Sequence, residues 1–175
     1  LYLVRIWEGK ERTRKKDVKD KIMTEIYKLT DTIRTNISSN GITNTVTFGD
    51  ILEVDLDKTT IFPLAHMTIG TATFVDYAAN LELNVLFLDV VDVNKSLTDD
   101  DIFYGNSNLQ DVLNTQFSAA NMLQSELRRG DLFAELFQID GAVTAEPFLD
   151  NFENQLAGWI LNISVQLPNN DLSTC

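Results

Sequence analysis

Histidine and cysteine, two residue types common in catalytic and metal sites, occur once each in this chain of 175 residues. The histidine, His66, lies between Ala65 and Met67 in a run that predicts a β-strand. A histidine can act as a general base, but no distinguishable serine and carboxylate accompany this one to make a Ser-His-Asp set. We therefore favour a structural, hydrogen-bonded role for His66. The single Cys175 excludes a disulfide scaffold and a zinc or catalytic site built on several cysteines.

Carboxylates are abundant, but their spacing does not match a calcium-binding loop. Such a loop needs a glycine and a terminal glutamate at fixed positions, and the acidic pairs and runs lack both. They lie at Asp55, Asp57, Asp89, Asp92, Asp99, Asp100 and Asp101. We interpret them as solvated acidic loops. The sequence also contains no Gly-rich phosphate-binding motif. We therefore predict no cofactor, no metal site and no enzymatic activity.

The apolar pattern of the first half predicts one helix and four strands. An isoleucine and leucine stripe with steps of three and four residues predicts a helix over 17–38, ended by Gly41. Residues 43–48 and 51–55 predict a hairpin or two short strands. Two longer strands are predicted at 66–74 and 81–91. The second of them is apolar on both faces from Val85 to Leu88, which predicts a central strand covered on both sides.

The second half predicts another helix and a long final strand. Ser107 or Asn108 caps the helix, which Gly130 ends. Its predicted buried stripe is Leu109, Val112, Leu113, Phe117, Ala120, Leu123 and Leu127. A strand is predicted over 132–139, irregular structure over 145–157, and a strand with strict alternation over 159–167. The sum is an α+β fold, a mostly antiparallel sheet with two α-helices packed on one face.

The length suits a single domain, and the charge is unevenly distributed along it. Residues 1–21, the basic arm, carry eight lysines and arginines against four acidic residues, a net charge of +4. The remaining residues carry six basic and 22 acidic residues, a net charge of −16. We predict that 22–175 is one α+β domain preceded by this arm. Binding of nucleic acid by the acidic body is disfavoured, because phosphate contacts need lysine and arginine.

The same arm allows three interpretations. It could bind nucleic acid, it could dock on an acidic neighbour such as a second copy of the chain, or it could be a solvated helix start. The longest apolar stretch, 85–88, is far shorter than the ~20 residues of a membrane helix. The apolar start precedes the basic run, which is the wrong order for a signal peptide. We expect an intracellular, reducing setting and no membrane partner.

The C-terminal residues carry a resemblance to a known family. An acidic, Asn-bearing stretch at 146–155 leads through Leu156-Ala157-Gly158-Trp159 into the last strand and a polar tail. This resembles the C-terminal ends of small virion proteins from tailed bacteriophages, particularly phages of Bacteroidetes-type hosts. The upstream order, with Pro63-Leu64-Ala65-His66 before a long strand, is similar to the neck and tail-completion class. The resemblance covers roughly residues 20–175.

The resemblance implies a structural protein of the virion. Neck and tail-terminator proteins form homo-oligomeric rings at the head–tail junction, join the connector to the tail tube and let DNA pass without specific binding. Their fold is similar, with two helices against an antiparallel sheet. The expected partners are other copies of the chain and neighbouring connector or tail-tube proteins. The expected location is the virion, after assembly in the host cytoplasm.

Interface residues are expected in the basic arm, the loop 96–108, the stretch 151–158 and the polar C-terminal tail. The candidate residues are Arg12, Arg14, Lys15, Lys16, Asp99, Asp100, Asn151, Phe152 and Trp159. For the aromatic residues near the end of the chain, we favour packing in the core or sheet over a binding platform.

Other functions stay open on the sequence alone. A tail-tube or other connector-ring subunit belongs to the same class of protein. A small cytosolic enzyme or ligand-binding domain using His66 and nearby carboxylates belongs to another class. A nucleic-acid-tethering adaptor that acts through residues 1–21 is a third possibility.

Overall fold

The computed structural model describes residues 26–56, 59–75, 78–92, 108–129, 138–150 and 155–168. Within these residues, two α-helices, α1 (26–39) and α2 (Leu109–Arg129), lie against one six-stranded sheet. The strands are β1 (Thr45–Phe48), β2 (Leu64–Val75), β3 (Ala78–Val90), β4 (Gln138–Ile139), β5 (Thr144–Asp150) and β6 (Leu156–Pro168). The predicted α+β fold is confirmed.

The sheet is built around one long antiparallel pair. β3 and β6 pair over their whole length, from Ala78 opposite Pro168 to Val90 opposite Leu156. β2 and then β1 lie beyond β3, while β5 and β4 both pair with the far side of β6. Every pairing is antiparallel except β1 with β2. The strict alternation predicted for the last strand is confirmed, because the odd-numbered residues from Leu161 to Leu167 are buried.

The main core lies between the helices and one face of the sheet. Of the predicted stripe Ile22, Ile26, Leu29, Ile33 and Ile37, the last three are fully buried there. Ile26 is 44 % exposed at the first described turn of α1, and Ile22 and the rest of the helix predicted from residue 17 lie outside the described residues. The three buried side chains pack with alternate residues of the two central strands, such as Phe87 of β3 and Val165 of β6. A helix stripe of period 3.6 and a strand stripe of period 2 thus meet in one apolar layer.

Among the described residues, a cluster of apolar side chains covers one end of the opposite face of the sheet. Phe62 packs there on Leu64, Leu88 and Leu156, together with side chains of the segment between β1 and β2. This cluster explains why β3 is apolar on both faces between Val85 and Leu88, and the prediction of a covered central strand is confirmed. The rest of this face carries polar side chains.

The hairpin predicted at 43–55 is wrong. Asp50 accepts a hydrogen bond from the amide of Leu52 and begins a short 3₁₀ turn, Ile51–Glu53, instead of a second strand. β1 therefore pairs with β2 in parallel, through a crossover that runs from Gly49 to Pro63. The local sequence, in which turn residues lie between β-branched residues, does not predict the parallel pairing of β1. That pairing depends on β2, which follows β1 only after the crossover.

Two further expectations are corrected. The irregular stretch predicted at 145–157 contains β5, which pairs with β6 despite Pro147. Proline is tolerated on an edge strand, where its missing N–H faces away from the sheet. In α2, Gln116 is buried, whereas Phe117 is 46 % exposed, because its ring lies beside Trp159 at the margin of the core. Of the strand predicted at 132–139, the described residues include only Gln138–Ile139.

Candidate functional site

His66 lies on β2, on the sheet face opposite the helices, and its side chain is fully buried. Its Nε2 lies 3.1 Å from the backbone oxygen of Gly49, and its Nδ1 lies 2.7 Å from the Thr47 hydroxyl oxygen. A carbonyl oxygen only accepts, so Nε2 carries the proton and donates it, and Nδ1 accepts from the Thr47 hydroxyl. Both nitrogens are therefore used within the chain to hold the end of β1 against β2.

Burial lowers the pKa of His66 below its ordinary value of 6.5, and this outweighs the opposite effects of the Gly49 hydrogen bond and the Asp50 charge. The neutral ring suits the two hydrogen bonds, because a protonated Nδ1 could not accept from Thr47. The geometry is that of a structural histidine, the role that the sequence favours. It offers no free ring nitrogen to a substrate.

The depressed pKa of His66 makes a prediction for stability. The unfolded chain takes up a proton near pH 6.5, while the folded chain keeps His66 neutral to lower pH, so the unfolded state binds more protons. The contribution of His66 to the free energy of unfolding is therefore fully present above pH 6.5. It is lost as the pH falls from 6.5 toward the lower pKa that His66 has in the folded chain. Urea titrations at pH 7.5 and 5.5 should show a smaller loss in His66→Gln than in the unmodified chain. Equal losses would contradict the assignment.

Trp159 is the one candidate interface residue among the described residues. Its indole N–H donates to the backbone oxygen of Leu113 in α2 at 2.8 Å, and its ring lies 5.0 Å from the ring of Phe117 at 59°. The side chain thus joins β6 to α2 within one chain, which is the packing role favoured for it. The candidates Arg12, Arg14, Lys15, Lys16, Asp99, Asp100, Asn151 and Phe152 lie outside the described residues.

The uncovered part of the sheet carries a row of neutral polar side chains that crosses four strands. Thr68, Asn84, Asn162 and Thr144 stand opposite one another on β2, β3, β6 and β5. Within the described part of the chain, neither asparagine side chain has a hydrogen bond. The row borders an open cavity of about 300 Å³, which Glu82 also lines. Alternation in the last strand indicates Asn162 on this face, but its neighbours become visible only through the pairing.

A second depression lies between α2 and the β5 edge. It has a volume of about 270 Å³ and is lined by Phe117, Gln124, Arg128 and Ala145 among others. The Arg128 guanidinium donates to the backbone oxygen of Gly141 at 3.0 Å, so it ties the end of the helix to the turn before β5. Arg128 therefore has a structural partner on the rim of this groove.

The hairpin of β2 and β3 exposes several apolar side chains. Residues 69–75 of β2 are all exposed, although the pairing with β3 continues to Val75 opposite Ala78. Phe74 is 72 % exposed, and Ile69 and Val75 are exposed as well. The sequence predicts this strand but not its exposure, because β-branched and aromatic residues are equally typical of a buried strand.

In the parts of the chain that the structure describes, no three histidine, cysteine or acidic side chains lie close enough to hold a metal ion. No helix among those residues is both long and apolar enough to cross a membrane. Among the described residues, the candidate functional features are surfaces: the exposed hairpin, the polar row and the outer edges of the sheet. Comparison with known proteins finds no family model that matches the chain and no curated protein that matches it.

Proposed function

We propose that this chain is a structural protein of a tailed-phage virion, which forms a ring at the head–tail junction as a neck or tail-terminator subunit. In this role it joins the connector to the tail tube and lets DNA pass. The phage assignment takes its support from the sequence resemblance over residues 146–175 and from the order of elements before it. The fold of two helices on one face of a mostly antiparallel sheet is the arrangement that this resemblance implies.

The observation that carries the proposal is the exposed β2–β3 hairpin. A cyclic ring needs a patch on each subunit that contacts a different patch on the next copy. The hairpin presents Phe74, Val75 and Ile69 to solvent on an element stiffened by backbone pairing. Phe74 and Val75 are successive residues on opposite faces of the strand, so each face of the hairpin end presents an exposed apolar side chain, which favours a contact with another protein. We assign the hairpin to the contact between neighbouring subunits.

The charge of the chain supports the passage of DNA. With 26 acidic and 14 basic residues, the net charge is −12. A channel wall with an excess of carboxylates repels phosphates, so passing DNA is not retained.

The same observations favour a tail-tube or other connector-ring subunit as the second candidate, because that role also needs lateral contacts around a channel. The alternative of an enzyme or ligand-binding domain built on His66 gains no support, because both ring nitrogens are occupied by Thr47 and Gly49.

Quantitative mass spectrometry of purified phage particles tests the proposal. The amount of this chain is measured relative to the major capsid protein. We expect a low, ring-like copy number for the neck or terminator role, whereas a high copy number indicates the tail tube. Complete absence of the chain from the particles rejects the virion role.

A variant of the hairpin sharpens this experiment. Phe74→Ser should remove the chain from particles while its circular dichroism spectrum and thermal transition stay unchanged, because Phe74 is exposed in the single subunit. Leu149→Ser on β5 is the matched control, since Leu149 is 63 % exposed on a strand at the other edge of the sheet. Normal incorporation of Phe74→Ser would show that the hairpin is not a subunit contact.

A further inference from the structure

Among the described residues, the outer edge of β1 is unpaired. The amides of Thr45 and Gly49 donate to Pro63 and Met67 on the β2 side, at 3.2 and 3.1 Å. Because backbone groups alternate along a strand, the N–H and C=O groups of Val46 and Phe48 point away from β2. β1 ends the strand order, and no described strand lies beyond it. Unpaired groups in such a row are a template for another strand.

The surroundings of this edge are apolar and acidic. Phe48 is 55 % exposed at the end of β1, and Leu52 in the turn that follows is 88 % exposed. Asp50 and Glu53 lie exposed in the same turn. Residues 44–56 contain three acidic residues and no lysine or arginine. The edge therefore fits an extended segment with apolar side chains that is followed by basic residues.

The opposite edge of the sheet does not offer the same template. β5 lies there, and it contains Pro147 in the middle of its pairing with β6. A proline removes an amide donor from the outer row and prevents regular addition of a strand. β1 contains no proline, so its outer edge can accept an added strand.

One segment of the chain has the required chemistry. Residues 1–7 read Leu-Tyr-Leu-Val-Arg-Ile-Trp, which is rich in β-branched and aromatic residues and free of glycine and proline. Lysines and arginines follow at Lys10, Arg12, Arg14, Lys15 and Lys16. Seven extended residues reach roughly 23 Å, and the four residues of β1 need about 13 Å. The segment is long enough to cover the edge.

We propose that residues 1–7 of a second copy of this chain add to the outer edge of β1 as a parallel strand. The parallel direction places the basic residues beyond the end of β1, beside Asp50 and Glu53. An antiparallel strand would place them at the other end, near Thr45. β1 is short, so the backbone hydrogen bonds supply register and the opposite charges supply attraction.

A second copy is the occupant because the rest of the chain is strongly acidic. Two bodies with a net charge of −16 repel each other, and residues 1–21, with +4, are the part of opposite sign. When the basic arm of one copy binds to the acidic body of the next, it brings positive charge between two negatively charged bodies and reduces their repulsion. The inference rests on the proposed ring, since it adds a second contact between neighbouring subunits to the one assigned to the β2–β3 hairpin.

Zero-length cross-linking of the full chain tests the inference. An equal mixture of ¹⁵N-labelled and unlabelled chains is treated with a carbodiimide, which joins lysine amines to nearby carboxylates, and the products are mapped by mass spectrometry. We expect links from Lys10, Lys15 or Lys16 to Asp50 or Glu53, with both isotopic forms in one linked pair. Links confined to pairs of a single isotopic form would place the segment on its own chain and overturn the proposal. Absence of these links would overturn it as well.

A pair of substitutions at Val46 tests the strand addition. Val46→Pro removes an outward amide donor and leaves every lysine and carboxylate in place, so the yield of mixed-isotope links should fall about tenfold. Val46→Ala loses a similar amount of side chain and keeps the amide, so its yield should stay within about twofold of the unmodified chain. Equal yields from the two variants would rule out pairing at β1. If Val46→Pro does not fold by circular dichroism, the link map of the unmodified chain decides the question.

The result is separable from the proposed function. If the chain is absent from phage particles but forms the mixed-isotope links, the proposed virion role is rejected and the addition of residues 1–7 to β1 of a second copy is supported. A chain present in particles at ring-like amounts without these links has the proposed role and a different subunit contact.

Discussion

Replacing Gly158 with alanine is expected to lower the free energy of unfolding by about 3 kcal/mol or more, or to prevent folding altogether. Gly158 lies in β6 between β3 and β5, opposite Leu88 and Phe148. A methyl group at this position would overlap the backbone oxygen of Phe87 and lie 2.9 Å from the Cα of Leu88. Both obstacles belong to the backbone of a central strand, so neither can rotate away.

Gly70→Ala is the control for this prediction. A methyl group there would lie 3.2 Å from the Cβ of Glu82 and 3.4 Å from its carboxylate, on an exposed part of β2. The carboxylate of Glu82 can rotate away, and a shift of a few tenths of an ångström in this exposed strand relieves the contact with its Cβ, so we expect a change of less than about 0.5 kcal/mol. Urea titration of both variants measures the difference. A Gly158→Ala variant as stable as Gly70→Ala would show that β3 and β6 do not approach as closely as the structure places them.

This close approach also gives a physical reason for the glycine in the sequence Leu156-Ala157-Gly158-Trp159. Ala157 is fully buried, and Trp159 reaches α2 through its hydrogen bond to Leu113. Gly158 between them allows the neighbouring backbones to come together, which any side chain would prevent. The motif on which the phage resemblance depends therefore has a packing role in this fold.

Replacing Gln116 with methionine is expected to raise the free energy of unfolding by about 1–3 kcal/mol. The side chain of Gln116 is fully buried in α2, and its Nε2 and Oε1 have no hydrogen-bond partner among the described residues. Burial of an unpaired amide costs free energy, whereas a methionine of similar size has no such cost. Glutamine and methionine have similar helix propensities, so the helix itself is little affected.

Gln110→Met is the matched control, because Gln110 is exposed on the same helix. Its stability should change by less than about 0.5 kcal/mol. Chemical denaturation of the two variants under the same conditions provides the comparison. A loss of stability in Gln116→Met would mean that the amide of Gln116 has a hydrogen-bonding partner in the folded protein.

Part of the candidate site could be predicted from the sequence. The structural role favoured for His66 agrees with its two hydrogen bonds, although the partners Thr47 and Gly49 could not be named in advance. They depend on the parallel pairing of β1 with β2, which contradicts the hairpin that the local sequence indicates. The exposure of Phe74 and the burial of Gln116 were missed for a similar reason. The type of a side chain indicates whether burial or exposure is favourable for it, but the packing of the surrounding elements determines whether it is buried.

The sequence by itself determined the presence of the two helices, the alternation of β6, the covered segment of β3 and the α+β class. Each of these depends on a periodicity within one element, which neighbouring residues set through backbone geometry. Only the tertiary structure decided the direction of β1, the inclusion of Pro147 in a strand and which of the described strands lie at the edges of the sheet. These features depend on which distant segments pair, because a backbone hydrogen bond between strands forms regardless of the side chains that the sequence displays.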